Sequence, residues 1–243
     1  MISVITSTIG RPELRQCIES VAKQTTKCRH YVFVNGPEFH EKAHAILREY
    51  PEVHAFYLPE STGDYGVGPS MADVFAGAPF LTRSEWICFL DDDNWFDSDH
   101  IECLHSFSTT HNLDWTFSLR KFISAKGEFL CNDDWDSVGL WGDFLGKEEP
   151  DQLVDNSCYF LKRSIAMRIA FAWTLQPLIA DRCFFLSLKR ARLRAGCVGR
   201  YSVNYRVGAS NKSPESLYLD YARIWKENFP TGYPWAKEEL FLP

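Results

Sequence analysis

A chain of 243 residues is long enough to bury a full core as one large domain. With 45% hydrophobic and 24% charged residues, its composition is that of a globular protein and points away from a disordered chain or one built of membrane spans. A net charge of −6 argues against a nucleic-acid partner held by phosphate contacts.

Strand-like and helix-like segments alternate through the first half, the pattern of a parallel sheet covered by helices. Residues 2–6 read as a strand. After Gly10 and Arg11 a helix starts near Pro12, with Leu14, Ile18 and Val21 on one face. Residues 30–34 form a second strand, ended by Asn35, Gly36 and Pro37, and Ala43, Ile46, Leu47 and Tyr50 mark a second helix. A third strand over residues 53–58 leads into a loop holding Gly63, Gly66, Gly68 and Pro69. Ser70 then suits the N-cap of a helix that buries Met71, Val74, Phe75 and Ala78.

Residues 86–90 are continuously apolar and run straight into Asp91, Asp92 and Asp93. A short apolar run is what a strand buried on both faces looks like, and its carboxyl end is where open α/β sheets place ligands. Adjacent carboxylates raise one another's pKa, so three of them call for a counter-charge, and a divalent cation with a phosphate ligand supplies one. The simpler reading is a loop capping the next helix, which starts near Asp99.

Beyond residue 111 the rhythm changes. Trp115–Ile123 reads as extended, Lys126 and Gly127 as a hairpin turn, and residues 131–152 as an acidic, aromatic loop carrying Trp135 and Trp141. Those two tryptophans are expected to be exposed on what reads as a substrate-facing loop. Residues 154–161 read as a strand, 163–173 as a helix, 181–188 as a helix headed by Asp181, 198–206 as a last strand and 217–229 as a surface helix.

Eight cysteines without a CxxC pair read as reduced core thiols. Lys189, Arg190, Arg192 and Arg194 read as a solvated helix face that can also touch an anionic membrane surface. No charged leader opens the chain and no run reaches membrane-spanning length, so a cytoplasmic protein with at most peripheral membrane contact is expected.

Three stretches resemble glycosyltransferase family 2, a group of GT-A-fold enzymes that move a sugar from a nucleotide diphosphate donor. The opening Val-Ile-Thr-Ser-Thr-x-x-Arg-Pro-x-Leu-x-x-Cys-Ile-x-Ser-Val-x-x-Gln-Thr is the most specific; Phe89-Leu-Asp-Asp-Asp-Asn-Trp-Phe looks like the family's DXD metal motif; and Ile179-Ala-Asp181-Arg-Cys-Phe-Phe resembles its catalytic-base segment. The resemblance implies an α/β, Rossmann-like GT-A fold: a mostly parallel central sheet flanked by helices, with a small acceptor-side subdomain. Residues 1–111 would form the nucleotide-sugar half and 112–243 the acceptor half with a C-terminal tail.

It also implies an inverting transfer from a UDP- or dTDP-sugar to a saccharide or other hydroxyl acceptor, as in surface-polysaccharide assembly. Asp181 would be the base, with Asp155 as the alternative. Mn²⁺ or Mg²⁺ would sit on Asp93 and Asp91, with Asp91 and Asp92 also on the donor ribose. Thr6, Ser7, Thr8, Arg11, Asn35 and Asp64 would complete the nucleotide site, and Trp135 and Trp141 the acceptor site. Asn35 departs from the family pattern, which has an acid there to accept the uracil imide proton. A basic residue usual near the third helix is also missing, which leaves the diphosphate to the metal, Arg206 or Lys212. The rival readings are a sugar-1-phosphate nucleotidyltransferase, which expects a Gly-rich basic loop after the first strand, and a non-catalytic nucleotide-sugar-binding module of the same fold.

Overall fold

The structure, a computed structural model, describes residues 1–63, 70–149, 151–208, 213–236 and 240–241. The first half is built as the sequence reads. Strand β1 (Ile2–Thr8) is almost wholly buried and pairs in parallel with β2 (Cys28–Val34) on one side and β4 (Trp86–Phe89) on the other; β3 (His54–Tyr57) extends the parallel run beyond β2. Helices α1 (Leu14–Ala22), α2 (His40–Leu47) and α3 (Met71–Leu81) connect them. In α1, Leu14, Cys17, Ile18 and Val21 recur at helical spacing and are all buried.

The Ser70 side chain accepts the Ala72 N–H at 3.2 Å, capping α3 as expected. Ser70→Ala should therefore cost about 1 kcal/mol, read as a lower urea midpoint at unchanged slope.

The second half is mixed in direction. After the short β5 (Trp95–Phe96) and α4 (His100–Thr110), β6 (Trp115–Ile123) makes a hairpin with β7 (Phe129–Asn132), turning at Gly127 with φ +88°. β8 (Tyr159–Lys162) lies antiparallel between β4 and β6, and β9 (Ala195–Arg206) runs parallel to β6 on its other side. With β10 (Leu240–Phe241) at the edge, the main path of the ten-stranded sheet is β10-β9-β6-β8-β4-β1-β2-β3. One sheet thus spans the residues expected to form donor and acceptor halves, and β5 ties the first half directly to β9. Among the described residues parallel pairing is confined to the β3-β2-β1-β4 run and to β6 with β9.

Two expected elements are shorter than their apolar runs suggest. The 154–161 segment becomes strand only at Tyr159, because Asp155 accepts the Ser157 N–H at 2.9 Å and caps a 3₁₀ turn over Asn156–Cys158. The 163–173 helix splits into α5 (Arg163–Arg168) and a 3₁₀ turn over Ala170–Thr174. Trp173 in that turn stacks on Phe184 at 4.1 Å and meets Phe75 of α3 edge-on at 5.5 Å. That packing fixes the start of α6 (Ala180–Arg190), which carries Asp181. Helix α7 (Glu215–Asn228) lies against β7.

All eight cysteines are free. Among the described residues no helix is long and apolar enough to cross a membrane.

Candidate active site

The carboxyl ends of β1, β4 and β6 open into one cavity of about 400 Å³. β4 ends at Phe89, and the chain turns at once, with Asn94 N–H donating to Asp91 O at 3.2 Å. The three aspartates are thereby held at the sheet edge. Asp92 accepts from the Thr8 hydroxyl at 2.6 Å, and Arg11 donates to Asp92 at 3.1 Å and to Asp93 at 2.9 Å. Arg11 reaches them because the chain turns at Gly10, where φ is +72° and an added Cβ would lie 2.9 Å from the Ala43 backbone nitrogen.

Asn156 donates to Asp91 at 2.6 Å. Burial pushes the Asp91 carboxyl well above the usual range, the charges of Asp155 and Asp93 push it the same way, and the Asn156 hydrogen bond opposes them. Burial also pushes Asp92 up to about 6, against the pull of Arg11 and Thr8.

On the other wall Asp181 stands in the first turn of α6, accepting the Arg182 N–H at 2.8 Å. Burial raises its pKa against the Arg182 guanidinium and this hydrogen bond, with Asp155 and Asp136 adding to the rise. The helix dipole alone would favour the opposite sign, so desolvation decides. Between the walls sits Arg120, 5% exposed, donating to Asp133 at 2.7 Å, Asp136 at 2.8 Å and Asp155 at 2.5 Å. Its guanidinium lies over the rings of Tyr205 and Phe122, at 4.4 and 5.0 Å.

A pocket at the strand ends of an α/β sheet, with an acid triplet on one wall and a carboxylate on the other, fits group transfer from a phosphate-bearing donor. The sequence profile described as Glycosyl transferase family 2 matches residues 3–129, just over half of the chain. The chain belongs to glycosyltransferase family 2. No curated protein is significantly similar to this glycosyltransferase in sequence.

Among solved structures it is similar to S. aureus TarS 1–349, with TM-score 0.63 and 14% identity over 94% of this chain and 72% of that one. The same protein in complex with UDP-GlcNAc gives TM-score 0.59 and 12% identity over 84% and 58%. A mannosyltransferase from Pyrobaculum calidifontis, PcManGT, in complex with GDP-Man and Mn²⁺, gives 0.55 and 11% over 81% and 54%. At these identities the likeness is one of fold, and it bears out the GT-A expectation. The enzyme is a glycosyltransferase.

Of the residues singled out in the sequence, Ser7, Thr8, Arg11, Asp91, Asp92, Asp93, Asp155 and Asp181 line this one cavity. Asp64 and Lys212 lie outside the described residues. The structure places the other expected residues differently. Thr6 points into the core, sharing a hydrogen bond with His30 Nε2 at 2.9 Å. Asn35 has no spare capacity for a base: its carbonyl accepts from Thr62 N at 2.8 Å and Thr62 Oγ1 at 3.1 Å, and its amide donates to Ser70 O at 3.0 Å.

Trp135, 7% exposed, packs on Phe122 and Tyr221 and so lacks the expected exposure; partly buried Trp141 packs against Trp235. Both were expected outside because acids and glycines flank them, yet aromatic partners from β6 and the C-terminal segments cover them. Arg206 is braced by Asp93 O, Ala125 O and Gln16 over the Trp95 ring, leaving the pocket to other cations. Asp155 is also less of a base than expected, since Arg120 and Ser157 engage both its oxygens.

Sequence reasoning missed Arg120, Arg182, Asp136, Asn156 and Tyr205, all of which line the cavity. For Arg120 a signal existed: an arginine inside a strand-like run needs buried counter-charges, and the acidic stretch around Asp133 follows within one hairpin.

The cavity's donor chemistry suits a hard divalent cation. Six carboxylates face three guanidinium groups there, and burial, with the neighbouring charges of Asp155 and Asp93, pushes Asp91 up. Among the described residues no group of three or more acidic, histidine or cysteine side chains is arranged around a single point. Two protein carboxylates with phosphate and water oxygens make the set that Mg²⁺ and Mn²⁺ commonly use.

Proposed function

We propose that the enzyme transfers a sugar from a UDP- or dTDP-sugar to a hydroxyl of a saccharide or other acceptor, with inversion, and depends on Mn²⁺ or Mg²⁺ held by Asp93 and Asp91. The observation that carries this reading is the facing of the aspartate triplet and Asp181 across one cavity. The complexes of TarS with UDP and UDP-GlcNAc, and of PcManGT with GDP-Man and Mn²⁺, support a nucleotide diphosphate and a divalent ion on the triplet side.

When bound, the cation neutralises charge that grows on the departing diphosphate. Arg11, which donates to Asp92 and Asp93 at the same edge of the pocket, would serve the same end at the diphosphate. Asn156 holds one oxygen of Asp91 and so orients the other. Asp92 is left for the ribose hydroxyls. On the acceptor wall, Asp181 takes the proton of the attacking hydroxyl as that oxygen bonds to the anomeric carbon from the face opposite the diphosphate. Its raised pKa strengthens it as a base. Arg120 holds Asp155 and Asp136 in place beside it.

A thermal-shift screen of UDP, dTDP and GDP, each with and without Mn²⁺, tests the donor side. UDP or dTDP at 100 times its Kd should add about 2.7 kcal/mol of stability, largely lost without the metal and in Asp93→Asn. Stabilisation by GDP alone would overturn the choice of base, and metal-independent binding would overturn the role of Asp93. Because Asn35 is fully engaged elsewhere, base recognition in this reading rests on other groups.

A further inference from the structure

A cavity of about 760 Å³, larger than the catalytic pocket, opens at the other end of β6. Leu113 and Trp115 line it where that strand begins, whereas Arg120 and Phe122 line the catalytic pocket where it ends. The five residues of extended chain from Trp115 to Arg120 separate the two by roughly 17 Å.

The chemistry of this second cavity is the reverse of the first. Leu140, Leu188 and Leu193 join Leu113 in an apolar lining. Its charged residues are Lys189, Arg192 and Arg194 against one carboxylate, Asp143. In a chain of net charge −6 this is a local inversion of sign. The excess of about two positive charges matches a phosphomonoester, which carries about −1.5 to −2 at neutral pH. Lys189 is engaged by Gln152 at 2.8 Å and Asp143 at 3.5 Å, and Arg194 by Asp114 at 3.4 Å. Arg192 is exposed and makes no ion pair among the described residues.

Two further features mark the place. Among the described residues only Asn112 and Arg192 combine a side chain with positive φ, at 53° and 51°; Arg192, after α6, lines this cavity, and Asn112, after α4, stands between His111 and Leu113, which do. Glycine or asparagine ordinarily ends a helix in that conformation, so backbone preference does not account for an arginine there. Strained backbone of this kind is concentrated at ligand sites. The indole N–H of Trp115, a side chain 1% exposed, has no acceptor among the described residues.

We propose that this cavity binds a phosphate-bearing amphiphile, its hydrocarbon body on the leucine lining and its phosphate on Arg192 with help from Arg194 and Lys189. A leucine-lined wall gives the chain a place out of water, and arginine forks match phosphate oxygens in pairs. The site is separate from the donor pocket and independent of which nucleotide that pocket takes.

Calorimetric titration of the whole chain with dodecyl phosphate, below its micelle concentration, tests the proposal beside inorganic phosphate and dodecyl maltoside. Co-sedimentation with phosphatidylcholine vesicles containing phosphatidic acid tests whether the phosphate belongs to a bilayer. The informative variant is Arg192→Gly, since glycine relaxes the positive φ while deleting the cation. It should melt no lower than the wild type, bind nucleoside diphosphate unchanged and bind dodecyl phosphate at least tenfold more weakly.

The expected wild-type result is dodecyl phosphate binding at least tenfold tighter than inorganic phosphate or dodecyl maltoside. Vesicle binding that Arg192→Gly abolishes, without binding of the monomeric amphiphile, also supports the site and assigns its ligand to a membrane lipid. Three results overturn it: undiminished binding by Arg192→Gly, inorganic phosphate binding as tightly as dodecyl phosphate, or binding of neither the monomer nor the vesicle.

Discussion

Asp181→Asn should lower kcat/KM by about 10³-fold, within the 10²–10⁴ range of a positioned general base, while leaving UDP affinity within about twofold. The amide keeps the size of the carboxylate and its acceptor oxygen for the Arg182 N–H, so α6 starts as before; what it cannot do is take a proton. The pH profile gives a second reading of the same residue. Burial raises the Asp181 pKa, so the base is lost to protonation as pH falls through that raised value, and the wild-type acid limb should lie above the ordinary carboxylate range. In Asp181→Asn the residual activity should have no such limb. Turnover unchanged by the substitution would remove Asp181 from the mechanism. Loss of UDP binding along with turnover would show that the residue shapes the donor pocket and is not the base.

The strand ends that make the pocket were legible because buried parallel strands are continuous in sequence. Residues 86–90 followed by Asp91 place the triplet without any tertiary information, and Leu14, Ile18 and Val21 identify α1 by period alone. The second half was harder to read. Its strands pair across long separations, as β6 does with β9, and the antiparallel β8 is cut short by a local hydrogen bond that the Ser157 N–H donates to Asp155. Side-chain roles were least legible where polar groups satisfy one another. Thr6, Asn35 and Asp155 are the residue types that bind ligands, yet Thr6 and Asn35 spend their hydrogen bonds inside the protein, and Asp155 is held by Arg120 and a backbone N–H. Nothing in a linear sequence distinguishes a polar side chain already satisfied from one waiting for a substrate.

Arg120 shows what that hidden pairing is worth. Replacing it with Met keeps the volume and removes the charge, and should cost about 3–5 kcal/mol at pH 7, because the carboxylates around it remain buried. Asp133 is the most exposed to the loss in this sense: its side chain is fully buried, and its oxygens also accept the N–H groups of Trp135, Asp136 and Ser137. Repulsion released there would reach the turns that carry Asp136 and Asn156 into the pocket, so donor affinity should fall as well.

The pH dependence identifies the cause. Burial raises the Asp133 pKa in the folded protein and Arg120 holds it back, so a folded state that binds a proton more tightly gains stability as pH falls through the folded value. Without Arg120 that value rises further, and the variant gains more on acidification than the wild type does. The stability gap between them should therefore narrow from pH 7 to pH 5 in urea titrations, and Asp133→Asn added to Arg120→Met should recover part of the loss at pH 7. A gap that stays constant with pH, and is untouched by Asp133→Asn, would mean that Arg120 acts by packing between Phe122 and Tyr205 and that its charge is incidental.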